Sequence, residues 1–198
     1  MLERYFKKAS EKFAEPFIYF LIKLKVKPNT VSFLGLMVIF LGSYFFYESN
    51  INLGIVFIFL GSAIDGLDGP YARKTNLTSN KGAVLDSFID RVGELIIWSV
   101  VGISYTSNSL ELFTIFSIVV GSNIIPYMRA KSELHGIENK YGIAARPERV
   151  LFAVFFMYFN FDFIFVYSFS FLVWLTAIQR FLHLYLSLIH ISEPTRPY

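Results

Sequence analysis

The sequence predicts an all-α integral membrane protein: six transmembrane helices preceded by an N-terminal amphipathic interfacial helix. Three observations carry this reading. Hydrophobic residues make up 55% and aromatic residues 19% of the 198 residues, a composition outside the soluble globular range. Apolar runs of about 14 to 22 residues recur six times, and a helix needs about 20 residues to cross a hydrocarbon layer of about 30 Å. These runs lack the period-2 alternation of a barrel, the only other fold that satisfies its backbone in lipid. Cysteine is absent, which excludes disulfides, thiolate metal sites and cysteine nucleophiles. The first 15 residues are charged, so no cleavable signal peptide is expected.

Residues 1–27 form the interfacial helix. Leu2, Phe6, Ala9, Phe13, Phe17, Phe20 and Leu24 recur at helical spacing, with Lys7, Lys8, Glu11 and Lys12 on other faces. The membrane domain covers 28–186, with spans expected near 30–47, 51–72, 82–105, 110–129, 148–161 and 163–184. A break is expected around Asn160 and Asp162. Gly35, Gly42, Gly54, Gly61, Gly93 and Gly102 mark close contacts between helices. The aromatic stretch from Phe152 to Phe171 serves lipid contact, core packing or an interfacial belt. The final segment, 187–198 (SLIHISEPTRPY), departs from the preceding helix in composition and resembles a translated sequencing-adapter tail. It is read as non-native, which removes His190 and Arg196 from any site.

Loop charge sets the orientation. Lys and Arg concentrate before the first span, around 73–81 and around 129–149, whereas the loops near 48–50, 106–111 and 160–162 contain none. By the positive-inside rule both termini face the cytoplasm, as does the 73–82 connection.

Four aspartates flank that connection. A carboxylate near a bilayer core costs on the order of 3 kcal/mol or more, so its presence points to function. Asp65 and Asp68 are three apart, and Asp86 and Asp90 four apart, so each pair lies on one helical face. Hard oxygen ligands without His or Cys suit Mg²⁺ or Mn²⁺ and disfavour zinc. Two such divalent ions can bridge a diphosphate. Gly69 and Gly82 leave room for a ligand, Ala72 preserves it, and Arg73 adds a planar cation suited to phosphate oxygens. Pro70 denies the Gly66 carbonyl its helical partner, which predicts a local kink. Glu94 is read as an in-helix ion-pair partner rather than a fifth ligand, and His135 and His183 as interfacial.

The pattern Asp-x2-Asp-Gly-x2-Ala-Arg-x8-Gly-x3-Asp-x3-Asp, complete between Asp65 and Asp90, resembles the signature of the CDP-alcohol phosphotransferase family at all eight fixed positions. Pro28-Asn29-Thr30-Val31-Ser32 is similar to that family's Pro-Asn-x-x-Thr, with Ser in place of Thr. The resemblance implies a reaction in which an alcohol attacks the β-phosphorus of a CDP-lipid and CMP leaves. It implies that Asp65, Asp68, Asp86 and Asp90 hold the metals, with Asp90 near the second ion and also acting as general base. Asn29, Ser32, Asp68, Gly69, Ala72, Arg73 and Gly82 would bind CDP. A homodimer is also implied.

The acceptor is read from a second group of cations, Arg129, Lys131, Arg146, Arg149 and Arg180, which suit an alcohol already carrying a phosphate. Lys140, also nearby, is assigned to positive-inside loop charge. Tyr127 to Glu133 and Arg146 to Arg149 are similar to the Tyr-x-Arg-Ala-x-x-Glu and Arg-x-Glu-Arg patterns of the inositol-phosphate-using branch. That branch more often has Glu where Ala145 stands, which leaves glycerol 3-phosphate as the rival to inositol 1-phosphate. The expected partners are a CDP-lipid, a phosphorylated polyol and membrane lipids, with no nucleic acid. The reading from another class is a divalent-cation transporter, whose site would lie near the midplane. Here the charges within spans, Asp65, Asp68, Asp86, Asp90, Arg91, Glu94 and Arg180, crowd the cytoplasmic end.

Overall fold

A computed structural model describes residues 15–192, so most of the expected interfacial helix (1–14) and the last residues of the tail (193–198) lie outside the described residues. All regular structure among the described residues is helical. The elements are α1 (15–23), α2 (Pro28–Tyr47), α3 (Ile51–Asp65), α4 (Asp68–Lys74), α5 (Asn80–Tyr105), α6 (Ser109–Leu134), α7 (Arg146–Phe159) and α8 (Ile164–Ser192). α8 thus runs past 186 into the segment read as tail.

Every expected span is a helix, but among the described residues only four are long and apolar enough to cross a membrane: α2, α3 with α4, α6 and α8. The expected third and fifth spans fall short for different reasons. α5 carries Lys81, Asp86, Asp90, Arg91 and Glu94. α7 has 14 residues, about 21 Å of helix against a hydrocarbon layer of about 30 Å.

The chain forms two compact units, Met1–Ile97 and Trp98–Tyr198. In the first, α2 and α3 are antiparallel neighbours joined by a short turn in which Ser49 takes φ 62°. Their seam is built from glycine. A Cβ on Gly35 would lie 2.8 Å from both the Asp65 nitrogen and the Gly61 oxygen, and one on Gly42 would lie 2.8 Å from the Ile58 nitrogen. The missing side chains let the two backbones touch, which is how apolar helices associate where no water drives them together. Because Gly35 abuts Asp65 itself, Gly35→Ala is expected to do two things. Overpacking should destabilise the protein by about 1–3 kcal/mol, and divalent-ion affinity should fall as Asp65 shifts. Thermal melting in detergent with and without Mn²⁺ measures both; an unchanged melting temperature would refute the close seam.

The kink expected from Pro70 is present. α3 ends at Asp65, Gly66 and Leu67 form a turn, and α4 restarts at Asp68 with Pro70 in its first turn. The short α4 is held from behind by Tyr71, 2% exposed, whose hydroxyl donates to the Val26 carbonyl. Ile18, Val31 and Tyr71 form a small core flanked by Leu21, Ile22 and Leu67, and Lys74 sits 4.1 Å from the Tyr19 ring centre. α1 and α2 therefore pack one side of α4 and leave its other side for chemistry.

In the second unit, Asn108 caps α6 by accepting the Glu111 N–H at 3.0 Å. α7 starts after extended Ala145, with Pro147 in its first turn, and stops at Asn160, which takes the left-handed conformation at the expected break. Asp162 Oδ1 then accepts the Ile164 N–H at the start of α8. Trp98, fully buried, stacks with Phe152 and Phe169, whose rings lie 3.9 Å apart. Phe155 and Tyr158 remain exposed, so the aromatic stretch divides between core and outer surface as its composition suggested.

Candidate active site

The kink places Asp65 at the end of α3 and Asp68 at the start of α4, and α5 brings in Asp86. One carboxylate oxygen from each of these three lies within 4.8 Å of the others. Asp65 is 1% and Asp68 8% exposed. Carboxylates brought this close together form a site that favours a cation. An all-oxygen set of this kind fits Mg²⁺ or Mn²⁺. Asp90, one turn beyond Asp86 on α5 and partly buried, stands outside this group. Glu94 is buried one turn further on, also outside it.

A cleft of about 220 Å³ opens beside the carboxylates. It is lined by all seven residues expected to bind CDP: Asn29, Ser32, Asp68, Gly69, Ala72, Arg73 and Gly82. Ser32, in the position where the family pattern has Thr, donates its hydroxyl to Asp68 Oδ2. It thus orients one carboxylate from the start of α2. A Cβ on Gly82 would lie 3.2 Å from Asn29 Oδ1 and 3.1 Å from Ser79 Oγ, so a larger residue there would press on both side chains.

Sequence reasoning missed Thr78 and Ser79, which also line the cleft. Ser79 is the N-cap of α5: its hydroxyl accepts the Gly82 N–H at 3.0 Å and its carbonyl the Ala83 N–H at 3.0 Å. The free N–H groups and positive dipole end of α5 therefore meet the cleft wall, where they favour anionic groups. The available signal was a serine one residue before the helix and three before Gly82.

The second group of cations belongs to the second unit. Arg149 is 2% and Arg180 7% exposed, Arg146 is partly buried, and Arg129 and Lys131 are exposed. Arg180 donates from Nε to the Tyr141 carbonyl at 2.8 Å and from Nη1 to the Ile125 carbonyl at 3.1 Å. Arg149 donates to the Ala144 carbonyl at 2.7 Å, and Arg129 pairs with Glu133 at 2.8 Å. Lys140 pairs instead with Glu138, whose carboxyl its hydrogen bond and charge hold below the usual carboxylate range. That fits the reading of Lys140 as loop charge. His183 is partly buried and lies against the Tyr141 ring.

The chain is similar to proteins of known type in both sequence and fold. The archaetidylinositol phosphate synthase of Pyrococcus horikoshii is 35% identical over 161 residues, covering 81% of this chain and 84% of that one. The crystal structure of Mycobacterium tuberculosis phosphatidylinositol phosphate synthase with CDP-DAG bound superposes with a TM-score of 0.76 at 21% identity, covering 88% of this chain and 94% of that one. The same enzyme in complex with manganese and citrate also gives 0.76, at 20% identity over 87% of this chain and 88% of that one. The CDP-alcohol phosphatidyltransferase family model matches residues 25–185, a range that holds the complete aspartate signature and the cleft beside it. By that match and by the 35% identity to the archaeal synthase, this chain belongs to the CDP-alcohol phosphatidyltransferase family.

Proposed function

We propose that this enzyme transfers the phosphatidyl-type group of a CDP-lipid to inositol 1-phosphate, with release of CMP. The observation that carries the donor half is the single cleft that gathers seven CDP-binding candidates beside three clustered carboxylates. Asp65, Asp68 and Asp86 hold two divalent ions, Mg²⁺ or Mn²⁺, with Asp90 near the second. When bound, the ions neutralise the diphosphate and make CMP a better leaving group. Arg73 and the α5 N-terminus hold phosphate oxygens, while Asn29, Gly69, Ala72 and Gly82 shape the nucleotide's seat. Asp90 takes the proton from the acceptor hydroxyl as its oxygen bonds to the β-phosphorus and the bond from that phosphorus to CMP breaks.

The acceptor half is supported by two buried guanidiniums, those of Arg149 and Arg180, with Arg129 in the same unit. Together with Lys131 and Arg146 they suit the dianionic phosphate of the acceptor. The two proteins named above are by name an archaetidylinositol phosphate synthase and a phosphatidylinositol phosphate synthase. Glycerol 3-phosphate remains the rival because Ala145 stands where the inositol-phosphate branch more often has Glu.

The same proposal keeps a six-span membrane domain with α5 and α7 crossing among their neighbours, α1 at the interface, and the site and both termini cytoplasmic. Basic residues confined to alternate loops support this placement. It also keeps the homodimer that the family resemblance implies.

An acceptor panel tests the reading. Membranes supplied with CDP-lipid and Mg²⁺ are expected to release CMP with inositol 1-phosphate faster than with glycerol 3-phosphate or unphosphorylated inositol. Preference for glycerol 3-phosphate would overturn the acceptor, and ion flux in proteoliposomes without CMP release would overturn the reaction itself.

A further inference from the structure

In the second unit, the segment 135–145 between α6 and α7 has no regular structure, yet it is fastened to α8 at several points. Thr176, 1% exposed, is central. Its Oγ1 accepts the N–H groups of both Ile143 and Ala144, each at 3.2 Å, while its hydroxyl donates to the Leu172 carbonyl at 3.0 Å. Gly142 takes φ +111°, and a side chain there would run into Thr176. Ala144, 2% exposed, is caught on both sides of its residue: its N–H by Thr176 and its carbonyl by Arg149 Nη1 at 2.7 Å. Asn139, 1% exposed, completes the fastening by donating to Ser132 Oγ at 2.8 Å and to the Arg180 carbonyl at 2.9 Å.

One buried hydroxyl therefore fixes the peptide that fixes a buried arginine. A valine at 176 would fill nearly the same volume, so packing alone does not ask for threonine. The hydroxyl is required only because two N–H groups of an irregular segment need an acceptor away from water.

Resting on the acceptor reading above, we propose that Thr176 is a positioning residue for the acceptor's phosphate, holding Ala144 and through it the Arg149 guanidinium in the geometry that binds it. The residue touches no substrate. It acts by keeping Arg149 ready before the acceptor arrives, which lowers the cost of ordering a long side chain on binding.

The test compares Thr176→Val and Thr176→Ser with the wild type, using inositol 1-phosphate, inositol and CDP-lipid as probes. In Thr176→Val the KM for inositol 1-phosphate is expected to rise about tenfold, the scale of one buried hydrogen-bonding group left without its partner. The KM for CDP-lipid should stay within about twofold, since only a group outside the donor cleft has changed. Thr176→Ser keeps the oxygen and should restore the wild-type value. Hydrogen exchange without acceptor reads the fastening directly: amides of 139–146 should exchange faster in Thr176→Val and not in Thr176→Ser. Faster exchange with an unchanged acceptor KM would overturn the positioning role, and unchanged exchange would overturn the fastening. A wild type that uses inositol as well as inositol 1-phosphate would remove the acceptor reading itself, and this inference with it. That failure is visible before any variant is made.

Discussion

Replacing Asp90 with asparagine is expected to lower CMP release by about 10²–10⁴-fold, the usual worth of a positioned general base. Asparagine preserves the shape and removes the ability to accept a proton. The expected split follows from where Asp90 stands. Asp65, Asp68 and Asp86 converge within 4.8 Å, whereas Asp90 lies one turn further along α5, outside that group. Mn²⁺ binding to the lipid-free variant, followed by electron paramagnetic resonance, should therefore stay within about threefold of wild type, a difference below 1 kcal/mol. Full activity would refute the base. Loss of Mn²⁺ binding in step with activity would instead make Asp90 a metal ligand.

Asp65→Asn is expected to give the opposite split. Asp65 is 1% exposed and belongs to the converging group, so its loss should abolish tight Mn²⁺ binding. Activity should fall by about 10³-fold or more, equivalent to about 4 kcal/mol of transition-state stabilisation. Stability should move the other way in the absence of metal. Three clustered carboxylates repel when no cation sits among them, and removing one charge relieves that repulsion. With EDTA present, Asp65→Asn should therefore melt at a higher temperature than wild type. With Mn²⁺ at a hundredfold excess over its Kd, the wild type should gain about 2.7 kcal/mol and the variant almost nothing. An equal Mn²⁺-induced rise in both proteins would show that the ion binds elsewhere.

The legible parts of this protein were those set by short spacings. Asp86 and Asp90 could be paired because a helix places residues four apart on one face, whereas Asp65 and Asp68, expected on one face, fall at the end of α3 and the start of α4. The break at Pro70 followed from a missing N–H, and the end of α7 fell at Asn160, a residue able to take the left-handed conformation. The span count was less legible. Among the described residues four of the six expected spans are long and apolar enough to cross by themselves, and the charges on α5 and the 14-residue length of α7 set the other two apart. The N-cap role of Ser79 was also missed, because in a polar loop a serine before a helix looks like any other.

By itself the sequence determined the all-helical class of fold, the aspartate signature and seven residues that line the cleft beside it. Each is written in composition or in spacings within a turn or two of helix. Only the tertiary structure decided which carboxylates converge, that Ser32 holds Asp68 from another helix, and that Thr176 reaches Arg149 through Ala144. Those contacts join residues about thirty positions apart. Such closeness depends on how helices pack, a property of the whole chain that no local period encodes.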